Sequence, residues 1–347
     1  MILNKATPQR QAARQGLFNL LVLLALGLIL SACNHSRGEP LGIYPQKSLP
    51  NGSLIFTNHF GIFRLDSEKP VNEPVTTLYS STVSSPLFSP TLLPNSSKMV
   101  FIWSRKLPEE SPDPSVSAYY PTGVYLLDLA SDQPPTLLWW AHEGSEKPDD
   151  LWPSSSQWSA DGKTVVLLIG NSDYRDIYKL SLEDLTLEKV VDCEGYCQFV
   201  IPAPISNRLI FTSRDKTESK QEVGTISILE EGGTIKPLIE NKGVDYVTKP
   251  SWSPNESQIA FTMQVDERGF RTVFLLNTDG TNLLQLTDKG AYHSPVWSPD
   301  GKMLAFVEEA QVGERITSRI ILMHLQTGKM QTLLVSPTEL DDLQWLK

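Results

Sequence analysis

The chain has 347 residues, 40% of them hydrophobic and 20% charged, with 40 acidic side chains against 30 basic ones and a formal net charge of −10. This is the composition of an ordinary globular protein, long enough to bury a large core. The acidic balance excludes the electrostatic footprint of a nucleic-acid binder.

Residues 1–32 carry Lys5, Arg10 and Arg14 and no acid, followed by an apolar run, Leu17-Phe18 and Leu20 to Leu30, broken only by Asn19 and Gly27. A stable membrane span needs about 20 apolar residues. A basic segment ahead of a shorter apolar one is instead an export signal. It ends in Leu30-Ser31-Ala32-Cys33, which resembles the lipobox of bacterial lipoproteins. That resemblance implies a diacylglycerol on the Cys33 thiol and cleavage just before it. Loss of residues 1–32 leaves 27 basic against 40 acidic residues, a net charge of −13, so without its lipid the mature chain would be repelled by an anionic bilayer. The expected product is exported and lipid-anchored, at a periplasmic or outer face; Asn34 leaves the choice of membrane open. Residues 33–50, with Gly38, Pro40, Gly42, Pro45 and Pro50, read as the lipidated N-terminus and a flexible tether.

From residue 51 onward a repeat dominates. Leu54-Ile55-Phe56, Ile62 to Leu65 and Val75 to Tyr79 predict three strands. Pro86 to Pro90 and Lys98 to Ile102 begin the next unit. Gln157-Trp158-Ser159-Ala160-Asp161-Gly162-Lys163, Ser251-Trp252-Ser253-Pro254-Asn255 and Val296-Trp297-Ser298-Pro299-Asp300-Gly301-Lys302 begin others, each followed by an apolar run. A degenerate copy spans Phe199 to Phe211. The turn residues suit a tight reversal, because Pro fixes φ and Gly or Asn tolerates φ > 0. Trp252 to Trp297 is 45 residues and Trp297 to Trp345 is 48. Four antiparallel strands in a period of that length is the signature of a propeller blade. The count is six blades over residues 51–347, an all-β fold. One blade is sewn from both termini, with the C-terminal strand Leu343 to Leu346 joining the N-terminal blade so that no open edges face each other.

Between strands, the loop Trp103 to Gly123 carries Tyr119 and Tyr120. His142-Glu143-Gly144-Ser145-Glu146 begins like a zinc-protease helix but has Glu146 in place of the second histidine. Cys193 and Cys197 are the only cysteines left after Cys33; in an oxidising compartment they suggest a disulfide across a tight loop, with a redox pair or a metal site as the alternatives. The loop acids Glu143, Glu146, Asp149, Asp150, Asp245 and Asp288 could hold structural Ca²⁺, although a solvated acidic rim explains them as well. No catalytic or cofactor-binding residues are identified, and no Gly-x-Ser-x-Gly occurs.

The stretch Leu286-Thr287 to Phe306, and its echo Lys249 to Phe261, resembles the repeat of TolB-type, WD40-like propellers. The resemblance implies the propeller scaffold over about residues 51–347. The domain that precedes the propeller in TolB itself is missing, so this is not expected to be TolB. A scaffold of this kind is nearly silent about activity. The expected function is a non-catalytic binding or scaffold module for an envelope protein or polymer, held to the membrane through Cys33. The alternative is an envelope hydrolase or lyase with acids at the channel mouth. Variable connections between blades make one face the expected partner surface, with Tyr119, Tyr120, Tyr246, Tyr292 and His293 as candidate contacts.

Overall fold

The computed structural model describes residues 45–347 apart from 59–60, 72, 74, 81–86, 105–121, 141–150, 172–173, 194, 217–221, 243–248, 267 and 313–314. The described residues form twenty-four β-strands and no helix. The first are β1 (Ser53–Asn58), β2 (Gly61–Asp66) and β3 (Thr76–Ser80). A second set follows: β4 (Leu87–Leu92), β5 (Lys98–Ser104), β6 (Thr122–Asp128) and β7 (Thr136–Trp140). The third is β8 (Trp152–Trp158), β9 (Thr164–Gly170), β10 (Arg175–Ser181) and β11 (Leu187–Val191). The fourth is β12 (Tyr196–Pro202), β13 (Leu209–Lys216), β14 (Glu222–Leu229) and β15 (Ile235–Lys242). The fifth is β16 (Ser251–Trp252), β17 (Gln258–Gln264), β18 (Arg271–Asn277) and β19 (Leu284–Gln285). The sixth is β20 (Tyr292–Trp297), β21 (Met303–Val312), β22 (Arg315–His324) and β23 (Met330–Ser336), and β24 (Asp341–Leu346) closes the chain.

Each set is an antiparallel four-stranded sheet in chain order, with two qualifications. The third and fourth sets merge into one eight-stranded sheet through a single parallel pairing, Arg175 with Tyr196. The first sheet takes its fourth strand from the other end of the chain, in the order β24-β1-β2-β3, with Trp345 opposite Leu54 and Gln344 opposite Ile55.

The unbroken apolar runs of the second strands have a simple cause. Successive side chains of a strand point to opposite faces, and both faces of these sheets are covered. In β5, Met99 and Phe101 join a cluster with Ile55 and Ile62 of the first set, while Val100 joins Trp158 and Leu167 of the third. In β9, Val166 and Leu168 meet Val200 and Phe211 of the fourth set. Ile210 of β13 packs with Ile259 and Phe261. Ala260 of β17 packs with Leu304 and Phe306. Ala305 and Val307 of β21 meet Leu54, Phe56 and Trp345 of the first set. Six clusters thus lie between successive sheets, the sixth linking the last set to the first.

The tight turns repeat one hydrogen-bond pattern. Ser159 Oγ donates to Asp161 Oδ1 (2.6 Å), accepts from Thr164 N, and its carbonyl accepts from Gly162 N. Ser298 does the same with Asp300, Met303 N and Gly301 N. Gly162 and Gly301 hold φ of 66° and 71°, which glycine adopts without steric cost. Ahead of β1, Gln46 N donates to Leu333 O, and Leu49 is buried in the cluster between the last and first sets. The segment read as tether is therefore held against β23 from Pro45 onward.

Candidate functional site

The first strands of the six sheets are equivalent by register. Trp345, Leu92, Trp158, Pro202, Trp252 and Trp297 each stand opposite the corresponding residue of the second strand. One residue earlier come Gln344, Thr91, Gln157, Ile201, Ser251 and Val296. All six line a single cavity of about 600 Å³. That volume lies within the roughly 300–1,000 Å³ typical of ligand sites. Three residues before the aromatic position come Asp342, Ser89, Ser155, Phe199, Lys249 and Ser294. Here the strands are irregular: Ser89, Ser294 and Asp342 have φ of 53°, 50° and 51°, and the ladders shift register beside them. Such bulges re-aim a strand.

Side chains from different sheets meet at this level. Lys249 Nζ lies 3.2 Å from Asp342 Oδ1, and the other oxygen of Asp342 accepts from Ser89 N at 3.0 Å. Lys249 belongs to the fifth set and Asp342 to the first, which are not successive, so the pair crosses the inner space. Gln344 Nε2 donates to Leu92 O (2.8 Å) and its Oε1 accepts from Leu92 N (2.9 Å), tying β24 to β4 as a backbone pair would. Between these groups and the turns stand Trp158, Trp252, Trp297 and Trp345, all buried. Three indoles donate to backbone carbonyls: Trp158 to Thr91, Trp252 to Ile201, Trp345 to Asn51. Trp297 Nε1, Gln157 Nε2 and Ser251 Oγ have no partner among the described residues. At the outer rim the lining is Pro94, Pro204, Pro254, Pro299 and Ile205, which is 70% exposed. The cavity therefore lies toward the end that carries the tight turns. Among the described residues no Asp or Glu side chain lines it, while Lys249 and Lys347 do.

At the opposite end of the inner strands, His293 Nε2 is 3.3 Å from Glu309 Oε1 and its Nδ1 is 3.2 Å from Ser294 Oγ. Ser294 Oγ donates to Asp341 Oδ1 at 2.6 Å. The imidazole of His293 beside it holds Glu309 below its ordinary value. Desolvation opposes ionisation of Asp341, but His293, the Ser294 hydroxyl and Lys249 outweigh it and lower its pKa. Asp342 moves the other way, because burial and the charge of Asp341 prevail over Lys249. Ser294 is itself buried and its proton is engaged by Asp341, so it is not presented as a nucleophile.

Of the residues expected from sequence, Cys33, Tyr119, Tyr120 and Tyr246 lie outside the described residues, as do the loop acids Glu143, Glu146, Asp149, Asp150 and Asp245. Tyr292 is buried with its ring edge-on to Phe306, centroids 5.4 Å apart, and His293 is bound as above. Cys193 and Cys197 are joined by a disulfide, with Cys197 fully buried between the third and fourth sets. Among the described residues no group of three or more His, Cys, Asp or Glu is placed to hold a metal ion. The cavity residues Lys249, Gln157, Ser251 and Gln344 were not singled out by sequence. Their signal was the repeat register itself, read one and three positions before each aromatic.

Among solved structures, TolB from Acinetobacter baumannii superimposes with a TM-score of 0.61 at 18% identity, over 85% of this chain and 66% of that one. A chain of a nidogen/laminin complex matches with a TM-score of 0.61 at 12% identity, over 84% of this chain and 97% of that one. Oligogalacturonate lyase from Vibrio parahaemolyticus matches with a TM-score of 0.53 at 11% identity, over 85% and 79%. At these identities the likeness is one of fold. No curated protein matches the sequence. The model of the TolB beta propeller domain matches residues 153–343, more than half of the chain, and the chain belongs to that family.

Proposed function

We propose that the chain is an exported lipoprotein, anchored through Cys33, whose propeller is a closed ring of six blades that binds an envelope protein or polymer and catalyses no reaction. The closed ring is supported by the six clusters, the last of which links the sixth set to the first, and by the pairing of β24 with β1. The observation that carries the binding reading is the cavity: every inner strand contributes to its wall, and among the described residues tryptophan and proline dominate it with no Asp or Glu side chain. Apolar concave sites with a few placed polar groups are what ligand binding needs. This reading puts the partner at the tight-turn end, opposite the face expected from loop length.

The alternative, an envelope hydrolase or lyase, draws on Asp341 and Asp342, whose carboxyls are displaced in opposite directions, as acid and base pairs often are. Both, however, are committed to hydrogen bonds within the fold. Two measurements test the proposal. Cys33→Ser is expected to move the protein from the detergent phase to the aqueous phase or to leave an unprocessed precursor; an unchanged, membrane-bound mass would contradict the anchor. Ile205→Asp, at the rim of the cavity, is expected to abolish capture of a partner from envelope extracts with the melting temperature unchanged. Retained capture would place the partner elsewhere.

A further inference from the structure

The charged side chains that line the cavity have the sign opposite to that of the molecule. In a chain with ten more acids than bases, the described lining contains no Asp or Glu side chain but the side chains of Lys249 and Lys347. Lys249 lies deepest, and among the described residues only Asp342 takes one of its three N–H donors. Nearer the turns, Gln157, Ser251 and Trp297 keep donors without partners among the described residues. Buried donors are rarely left so unless something else satisfies them. These three come from three different sheets and line the same cavity as Lys249, and each offers it a hydrogen-bond donor. Two of them, Gln157 and Trp297, are more than nine-tenths buried.

We propose that the cavity takes the carboxyl-terminal end of a polypeptide, with its carboxylate on Lys249 and its last peptide carbonyls on Gln157, Ser251 and Trp297. This rests on the reading of the cavity as the binding site. A chain end is favoured over a passing segment because the Lys249–Asp342 pair crosses the inner space and closes it below. A polypeptide is favoured over an aliphatic acid because the unpartnered donors of Gln157, Ser251 and Trp297 can be met by peptide carbonyls, which an alkyl chain lacks. The tryptophan and proline walls suit apolar side chains at the last positions. Burial raises the Asp342 carboxyl, which leaves Lys249 less neutralised and so more available.

The test uses the whole, detergent-solubilised chain and random octapeptides presented with free carboxyl termini, alongside the same peptides as C-terminal amides. Free acids are expected to be retained, with at least a tenfold loss of affinity on amidation and a change in tryptophan fluorescence on binding. Lys249→Met is expected to erase the preference for acid over amide. If that variant unfolds because it strands Asp342, the double variant Lys249→Met/Asp342→Asn serves in its place. Equal retention of acids and amides overturns the proposal, as does retention of acids unchanged by the loss of Lys249, or retention of no octapeptide. Should Ile205→Asp still abolish capture of an envelope partner in any of those cases, the binding reading stands and only the chain-end inference falls.

Discussion

Glu256 occupies the turn position that Gly162 and Gly301 occupy elsewhere, at φ 58°. A non-glycine residue there costs about 1–2 kcal/mol. The carboxylate offsets that cost across the boundary between sheets. Its Oε1 accepts from Ile205 N and Ser206 N (2.6 and 2.8 Å), and its Oε2 accepts from Ser206 Oγ and Arg208 (2.7 and 2.9 Å). Hydrogen bonds to a charged group contribute about 1.5–3 kcal/mol each, so the exchange is favourable. Glu256→Gly, the change the repeat pattern would recommend, should therefore destabilise by about 2–3 kcal/mol, read as a lower urea midpoint at neutral pH. Burial would raise this carboxyl, but Arg208, Ser206 and Ile205 together hold it below 4.5. A depressed folded pKa gives stability that is complete above the unfolded value and lost as pH falls through the folded one. The gap between wild type and variant should thus close only below pH 4.5, and a gap that stayed constant on acidification would contradict the assignment.

At the scale of elements, the fourth sheet is the weak copy of the repeat, and the structure shows how it is held. It lacks tryptophan at the position of Pro202, and Pro204-Ile205-Ser206-Asn207 replaces the usual turn. Glu256 supports that turn from the fifth set. Arg208 lies over the Trp252 ring at 4.9 Å, and the Trp252 indole donates back to Ile201 O. At the other end of β12, the Cys193–Cys197 disulfide fixes the entry from β11 beside the parallel contact of Arg175 with Tyr196. Closing so short a loop constrains the unfolded chain by about 2 kcal/mol. Replacing both cysteines with alanine, which avoids burying a hydroxyl at Cys197, should lower stability by about that amount. Reductant should then have no further effect on the variant. The ordinary copies were legible in sequence because serine, aspartate and glycine each have a fixed local task in the turn. Partners that reach the fourth copy from other sheets were not legible, since Glu256, 51 residues from Ile205, shows only as a departure from the pattern. The inner columns were hidden for a related reason. Alternation predicts which residues of a strand share a face, but only the assembled strands show that Lys249 and Asp342 meet.

For the whole molecule, the decisive element is β24. It completes the first sheet opposite β1, inserts Trp345 and Leu343 into the cluster shared with the sixth set, and reaches the second set through Gln344. Three sheets therefore depend on six residues at the end of the chain. Removing residues 343–347 deletes the Trp345 side chain, worth about 3–5 kcal/mol when buried, together with Leu343 and both bonds of Gln344. It also leaves the inner edge of β1 unpaired beside an open cavity. The total approaches the 5–15 kcal/mol that stabilises a typical domain. In a linear stack of sheets such a loss would fray one end and leave the remaining sheets near their original stability. In a closed ring it removes the contact that every other interface relies on to stay in register. The truncated chain is therefore expected to lose its cooperative transition altogether, with circular dichroism and tryptophan fluorescence both changed at 25 °C. Adding a synthetic peptide of residues 339–347 should restore part of the native signal. A truncated protein that melts in a single transition at the wild-type temperature would show that β24 is an accessory strand and that the six sheets do not close on one another.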